Sequence, residues 1–159
     1  MSLVVFVALV AACALSGARF KPDAWFRALK KPSWNPPDAV FAPVWALLYV
    51  AIAIAGWLVW RDSGGQWTIA LAAWGVQLVL NAAWSWLYFG RHQIFAAMID
   101  SAMLLLTIVV FIVSAADINA AAAWLFVPYA CWVAFATALN AAFWMLNKRA
   151  SGQAMPTKP

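Results

Sequence analysis

The charged residues of this chain fall in short clusters, and between the clusters run five long stretches that carry almost no charge. They cover about residues 2–18, 42–60, 66–90, 94–116 and 120–147. Each is long enough, as a helix rising 1.5 Å per residue, to cross about 30 Å of hydrocarbon. Inside a bilayer the backbone must satisfy its own hydrogen bonds, and a helix does so within one segment. With 67% hydrophobic and 9% charged residues, the chain lies far from the globular balance, and its mean hydropathy is +0.85. The expectation is an all-α integral membrane bundle of five transmembrane helices. It forms a single domain over residues 1–147, followed by a disordered tail over 148–159.

The net charge of +5 would suggest a nucleic-acid partner if the charges were not so placed. Of the ten Lys and Arg residues, five lie in the first loop (residues 19–41), one in the third turn and three at the C-terminus. With five spans these all fall on one side, and only Arg61 falls on the other. The positive-inside rule then puts the loop and C-terminus in the cytoplasm and the N-terminus outside. The pattern suits a multi-pass protein of a cell membrane, and inner and outer membranes both satisfy it. The first stretch also resembles a secretory leader, and residues 10–13 a lipoprotein cleavage box. However, no Lys or Arg precedes the apolar run, while five follow it. Cys13 and Cys131 both lie inside apolar stretches without a CxxC pair, so no metal site is expected.

The first loop is the only long polar interval. Asp23 can cap a short helix reaching about Lys30, behind Pro22 and ahead of Pro32. Lys31-Pro-Ser-Trp-Asn-Pro-Pro37 cannot be helical, since each proline restricts its predecessor. An extended lid carrying aromatic rings results, with Trp25, Lys30, Lys31 and Trp34 on it. His92, beside Arg91 at a membrane boundary, reads as a solvated interfacial residue.

Two stripes mark an interior. On the third span Trp74, Gln77, Asn81, Trp84 and Tyr88 recur at steps of three and four and share one helix face. On the fifth, Trp132, Ala136 and Asn140 do the same. The second span adds Trp45 and Tyr49, four residues apart. Amides in a bilayer either bond across helices or face a cavity, and the sequence leaves both open. Asp100, one and a half to two turns into the fourth span by a rough count, either faces the bundle interior or reaches back to headgroups, Arg91 or His92. The 12 tryptophans suit interfacial belts or the walls of a site for an apolar ring compound. There is no nucleophile–base pair, and no inverted repeat of the kind transporters carry.

Four motifs in order resemble the TspO/MBR family of translocator proteins, also called tryptophan-rich sensory proteins or peripheral-type benzodiazepine receptors. They are Lys31-Pro-Ser-Trp-Asn-Pro-Pro37, Trp45-x3-Tyr49, Gln77-x3-Asn81-x2-Trp84-Ser85 and Trp124-x3-Pro128-Tyr129-x2-Trp132-x2-Phe135-Ala136-x2-Leu139-Asn140. The resemblance runs from about Lys21 to Asn147 and has the look of a bacterial member. It implies a pocket under the first loop for protoporphyrin IX and related tetrapyrroles and for isoquinoline- or benzodiazepine-type ligands, with no cofactor required. The implied pocket residues are Trp34, Pro36, Trp45, Tyr49, Asn81, Trp84, Trp132, Ala136 and Leu139. Trp25, Lys30, Lys31, Gln77, Asp100 and Asn140 lie around them, and Lys30, Lys31 and Arg27 are candidate partners of propionates. The family's sterol motif needs a tyrosine where this chain has Phe143 before Lys148, so sterol transport is doubtful for this member. A proposed family activity, light-dependent porphyrin degradation, would map to Trp45 and Trp132. The family also forms dimers on the third span, where Ala72, Gly75, Val79, Ala82 and Ala83 make a small-residue ridge.

Overall fold

In the computed structural model, which describes residues 1–148, every regular element is helical. The tail expected over 148–159 lies, beyond Lys148, outside the described residues. The elements are α1 (Leu3–Arg19), α2 (Ala24–Ala28), α3 (Asp38–Asp62), α4 (Ile69–Ser85), α5 (Ile94–Ala116) and α6 (Ala120–Asn147). A π-helical turn over Trp86–Gly90 continues α4. Four of these segments are long and apolar enough to cross a membrane, and α1 is a shorter apolar helix beside them.

The five long helices close into a ring in which α1 touches α3, α3 touches α6, α6 touches α5, α5 touches α4, and α4 returns to α1. Since lipid competes equally for apolar side chains, the ring is held by close packing and by bonds between helices. Phe111 stacks on Phe126 at 3.8 Å to join α5 to α6. Phe6 and Trp74 pack in a T-shape at 5.0 Å to join α1 to α4. The Trp74 indole donates to the Ile52 carbonyl at 2.8 Å, tying α4 to α3. These contacts belong to one large apolar cluster that fills the half of the bundle away from the loop. A smaller cluster around Phe26, Tyr88, Leu139 and Phe143 closes the loop end.

Several boundaries differ from expectation for local reasons. Helix α3 starts at Asp38 rather than at residue 42, because Pro37 holds the N-cap and Asp38 supplies a negative charge to the first turn. Pro43 is accommodated inside that helix. Helix α4 starts at Ile69 rather than at residue 66, where Thr68 Oγ1 accepts from the Leu71 amide at 3.2 Å. The turn before it uses Gly64 and Gly65, both at positive φ. The regular helix expected up to Gly90 instead widens over its last five residues. There Trp84 stacks on Tyr88 at 5.1 Å, and the absence of a side chain at Gly90 lets the Phe20 ring approach.

Candidate functional site

A cavity of about 520 Å³ lies where the two apolar clusters meet, enclosed by the loop and all five long helices. Its aromatic walls are Trp45 from α3, Trp84 and Tyr88 from the end of α4, and Trp132 from α6. The end of α4 and the widened turn that continues it put Trp84, Ser85, Tyr88 and Phe89 on the cavity wall. On α1 the wall is made of Ala14, Gly17 and Ala18, whose small side chains leave the room that the rings enclose.

A buried polar network underlies the cavity and accounts for the amides of the α4 stripe. Asn81 Nδ2 donates to the Tyr129 hydroxyl at 2.9 Å, and that hydroxyl donates to Gln77 Oε1 at 3.0 Å. Asn81 Oδ1 accepts from the Tyr49 hydroxyl at 3.3 Å and from the Cys13 thiol at 3.5 Å. Four helices therefore converge on one side chain. Gln77 is fully buried beneath the cavity rather than in its wall. On the α5–α6 side, Asn140 Nδ2 approaches Ser101 Oγ at 3.5 Å, and both residues reach the cavity wall. Both tryptophan indole N–H groups at Trp84 and Trp132, and the Tyr88 hydroxyl, are buried without a protein partner. The three residues line the cavity with their rings, while these polar atoms are themselves sealed in the packing behind it.

The family model described as TspO/MBR family matches residues 4–145. The chain belongs to that family. It is 36% identical to protein CrtK of Rhodobacter capsulatus over 155 residues, covering 92% of this chain and 95% of that protein. It is 34% identical to the tryptophan-rich protein TspO of Chlorobaculum tepidum, with 92% and 96% covered. Against the human translocator protein the identity is 37%, with 77% and 75% covered.

Seven of the nine pocket residues implied by the TspO/MBR resemblance line the cavity: Trp45, Tyr49, Asn81, Trp84, Trp132, Ala136 and Leu139. Trp34 and Pro36 do not. Asn35 donates its amide to the Pro32 carbonyl at 3.0 Å, and this turn brings Asn35 to the cavity while Trp34 lies half exposed against the edge of Phe135. Asn140, expected around the pocket, is in its wall, whereas Asp100 is buried on α5 outside it, with Oδ2 unpartnered.

The loop cations also sort differently from expectation. Lys31 Nζ lies 4.7 Å from the centre of the Phe26 ring. The Lys30 backbone is clamped by Asn147, whose amide both donates to the Lys30 carbonyl and accepts from its N–H at 3.0 Å. Lys21, which the sequence reading passed over, is the lysine at the cavity rim, together with Asp38.

The short helix of the loop runs over Ala24–Ala28, shorter than the reach to Lys30, and Asp23 caps it by accepting from the Phe26 amide at 3.0 Å. That bond, with the adjacent His92, holds the Asp23 carboxyl below the usual aspartate range. His92 is exposed, as expected of an interfacial residue, and is also engaged by the loop. Its Nε2 lies 3.0 Å from Asp23 Oδ2, and its ring stacks on Trp25 at 4.2 Å. It adopts φ 56°, a conformation uncommon outside glycine. Trp25 therefore belongs to a latch between the loop and the turn after α4, not to the cavity. On α4, Ala72 and Val79 of the small-residue ridge are exposed and Gly75, Ala82 and Ala83 are half-buried.

Proposed function

We propose that this TspO/MBR protein is a membrane receptor or carrier for tetrapyrroles such as protoporphyrin IX, held in the cavity under the first loop. The observation that carries the reading is an apolar cavity of ligand-site size walled by Trp45, Trp84 and Trp132. Flat rings of this kind stack on a planar conjugated macrocycle. Lys21 at the rim is the proposed partner of a propionate, in place of Lys30 and Lys31. The Lys/Arg distribution supports a cytoplasmic loop in a bacterial cell membrane, so ligand would arrive from the cytoplasm.

The test is a dark titration of the purified protein in detergent with protoporphyrin IX, followed by tryptophan fluorescence. Saturable quenching is expected, weakened about tenfold or more by Trp132→Phe and by Asn81→Ala, an effect of the size seen when a wall residue or its support is lost. Equal binding by all three proteins, or no saturation, overturns the reading. Illumination of the same samples distinguishes binding from turnover, since degradation would consume many equivalents of porphyrin per protein.

A further inference from the structure

A second cavity, of about 660 Å³, lies between α2, the first turn of α5 and the last turn of α6. It shares no lining residue with the cavity of the bundle. Its walls are fixed from three sides. Trp25 is stacked on His92, Asn147 clamps the Lys30 backbone, and Phe95 packs on Trp144 at 5.3 Å. The groove is therefore built, with an apolar floor of Trp25, Leu29, Phe95 and Trp144.

Its charge is one-sided. Lys148 Nζ sits 5.0 Å over the Trp144 ring at the groove's edge. Among the described residues Lys148, Lys30 and Arg91 form no salt bridge, while Asp23 is engaged by His92. The first turn of α5 adds partial positive charge, since Gln93 provides no side-chain cap for it. Outward from the groove, Phe95, Ile99, Met103 and Leu106 follow at steps of four, four and three on α5, and all are about half exposed. They form an apolar track along the lipid-facing side of the helix.

We propose that this groove binds the headgroup of an anionic phospholipid, its phosphate against Lys148 and one acyl chain along the α5 track. The bilayer is the source of the ligand because the track leads into hydrocarbon, and a soluble anion would have no use for it. The site ties the end of α6 to α2 and so to the loop that covers the main cavity. It does not depend on what that cavity binds.

Native mass spectrometry of the full-length protein, equilibrated in neutral detergent with equal amounts of phosphatidylglycerol and phosphatidylcholine, tests the assignment. Wild-type protein should retain phosphatidylglycerol preferentially. Lys148→Gln should lower that preference about fivefold, the usual weight of one basic residue at a membrane surface. Ala96→Leu, which fills the groove without changing charge, should lower it as well. Arg61→Gln, at the opposite end of the bundle, should leave it intact. A wild-type protein without preference, a preference that survives both groove variants, or one lost equally in Arg61→Gln overturns the proposal. Displacement of the lipid by excess inorganic phosphate would show that the track contributes nothing, and would overturn it too.

Discussion

Gly56 sits on α3 where α1 and α4 cross it, and replacing it by alanine tests how the bundle is packed. A Cβ there would fall 2.5 Å from Trp74 Cε2 and 2.9 Å from Phe6 Cδ1, and closer still to the indole nitrogen. Favourable carbon contacts need about 3.5–4.0 Å, so the indole would have to retreat by roughly 1 Å. It is not free to do so. Its N–H is bonded to the Ile52 carbonyl, one turn before Gly56 on the same helix, and its ring is held by the T-shaped contact with Phe6. Overpacking costs about 1–3 kcal/mol, and a lost hydrogen bond about 0.5–1.5 kcal/mol more. Alanine's better helix propensity returns about 1 kcal/mol. The expected net loss is about 0.5–3.5 kcal/mol, measured by equilibrium unfolding in mixed micelles. In a Trp74→Phe background, where the ring is smaller and no indole N–H remains, the same substitution should cost less than half as much. A neutral or stabilising Gly56→Ala, or an equal cost in both backgrounds, would refute this account of the crossing. Gly56 lies outside the cavity, so porphyrin binding by the folded fraction should be unchanged.

Two further outcomes follow from the loop and from α4. Because Asp23 is held below its ordinary range by the Phe26 amide, its contribution to the α2 cap is complete above the unfolded value of about 3.9. It is lost only as pH falls below that value through the lower folded one; exchange protection of the Phe26 amide that collapses already between about pH 5 and 6 would contradict the capping role. We also propose that the ridge on α4 pairs two copies of the chain. An added Cβ at Gly75 meets nothing within 4 Å, so Gly75→Phe should preserve the fold yet shift light-scattering mass from dimer to monomer, and an unchanged dimer fraction would remove the ridge from the interface.

The sequence carried the bundle and most of the cavity wall because both depend on helical periodicity under one strict solvent rule. With charge excluded from hydrocarbon, the polar and aromatic face of each span has only one direction to turn. The residues at steps of three and four, Asn81 with Trp84 and Trp132 with Ala136, therefore arrive on the wall where spacing puts them. Periodicity says nothing about depth along the helix, and so it put Trp74 and Gln77 on the same face as Asn81 and Trp84 without showing that they lie below the cavity. It also misses departures from regular geometry. The π turn over Trp86–Gly90 rotates the end of α4, and only a gathering of bulky rings next to Gly90 hinted at it.

The loop was least legible, since no repeating rule governs which way its side chains point. A single backbone bond from Asn35 to Pro32 exchanged Trp34 for Asn35 at the cavity, and a single side chain on another helix, Asn147, fixed where Lys30 goes. Tyr129 illustrates the remaining gap. It stands in the motif on the last span, where spacing assigns it no role. Its hydroxyl instead joins Asn81 to Gln77 and so sets the amide that Tyr49 and Cys13 share. The polar pattern of one helix could be read, but its partners on the others could not, because a hydrogen bond between helices leaves no period in either sequence. That network is also why Asn81 is the decisive substitution in the binding test. Its removal leaves the rings of the wall in place and takes away the one group through which α4 is bonded to three other helices.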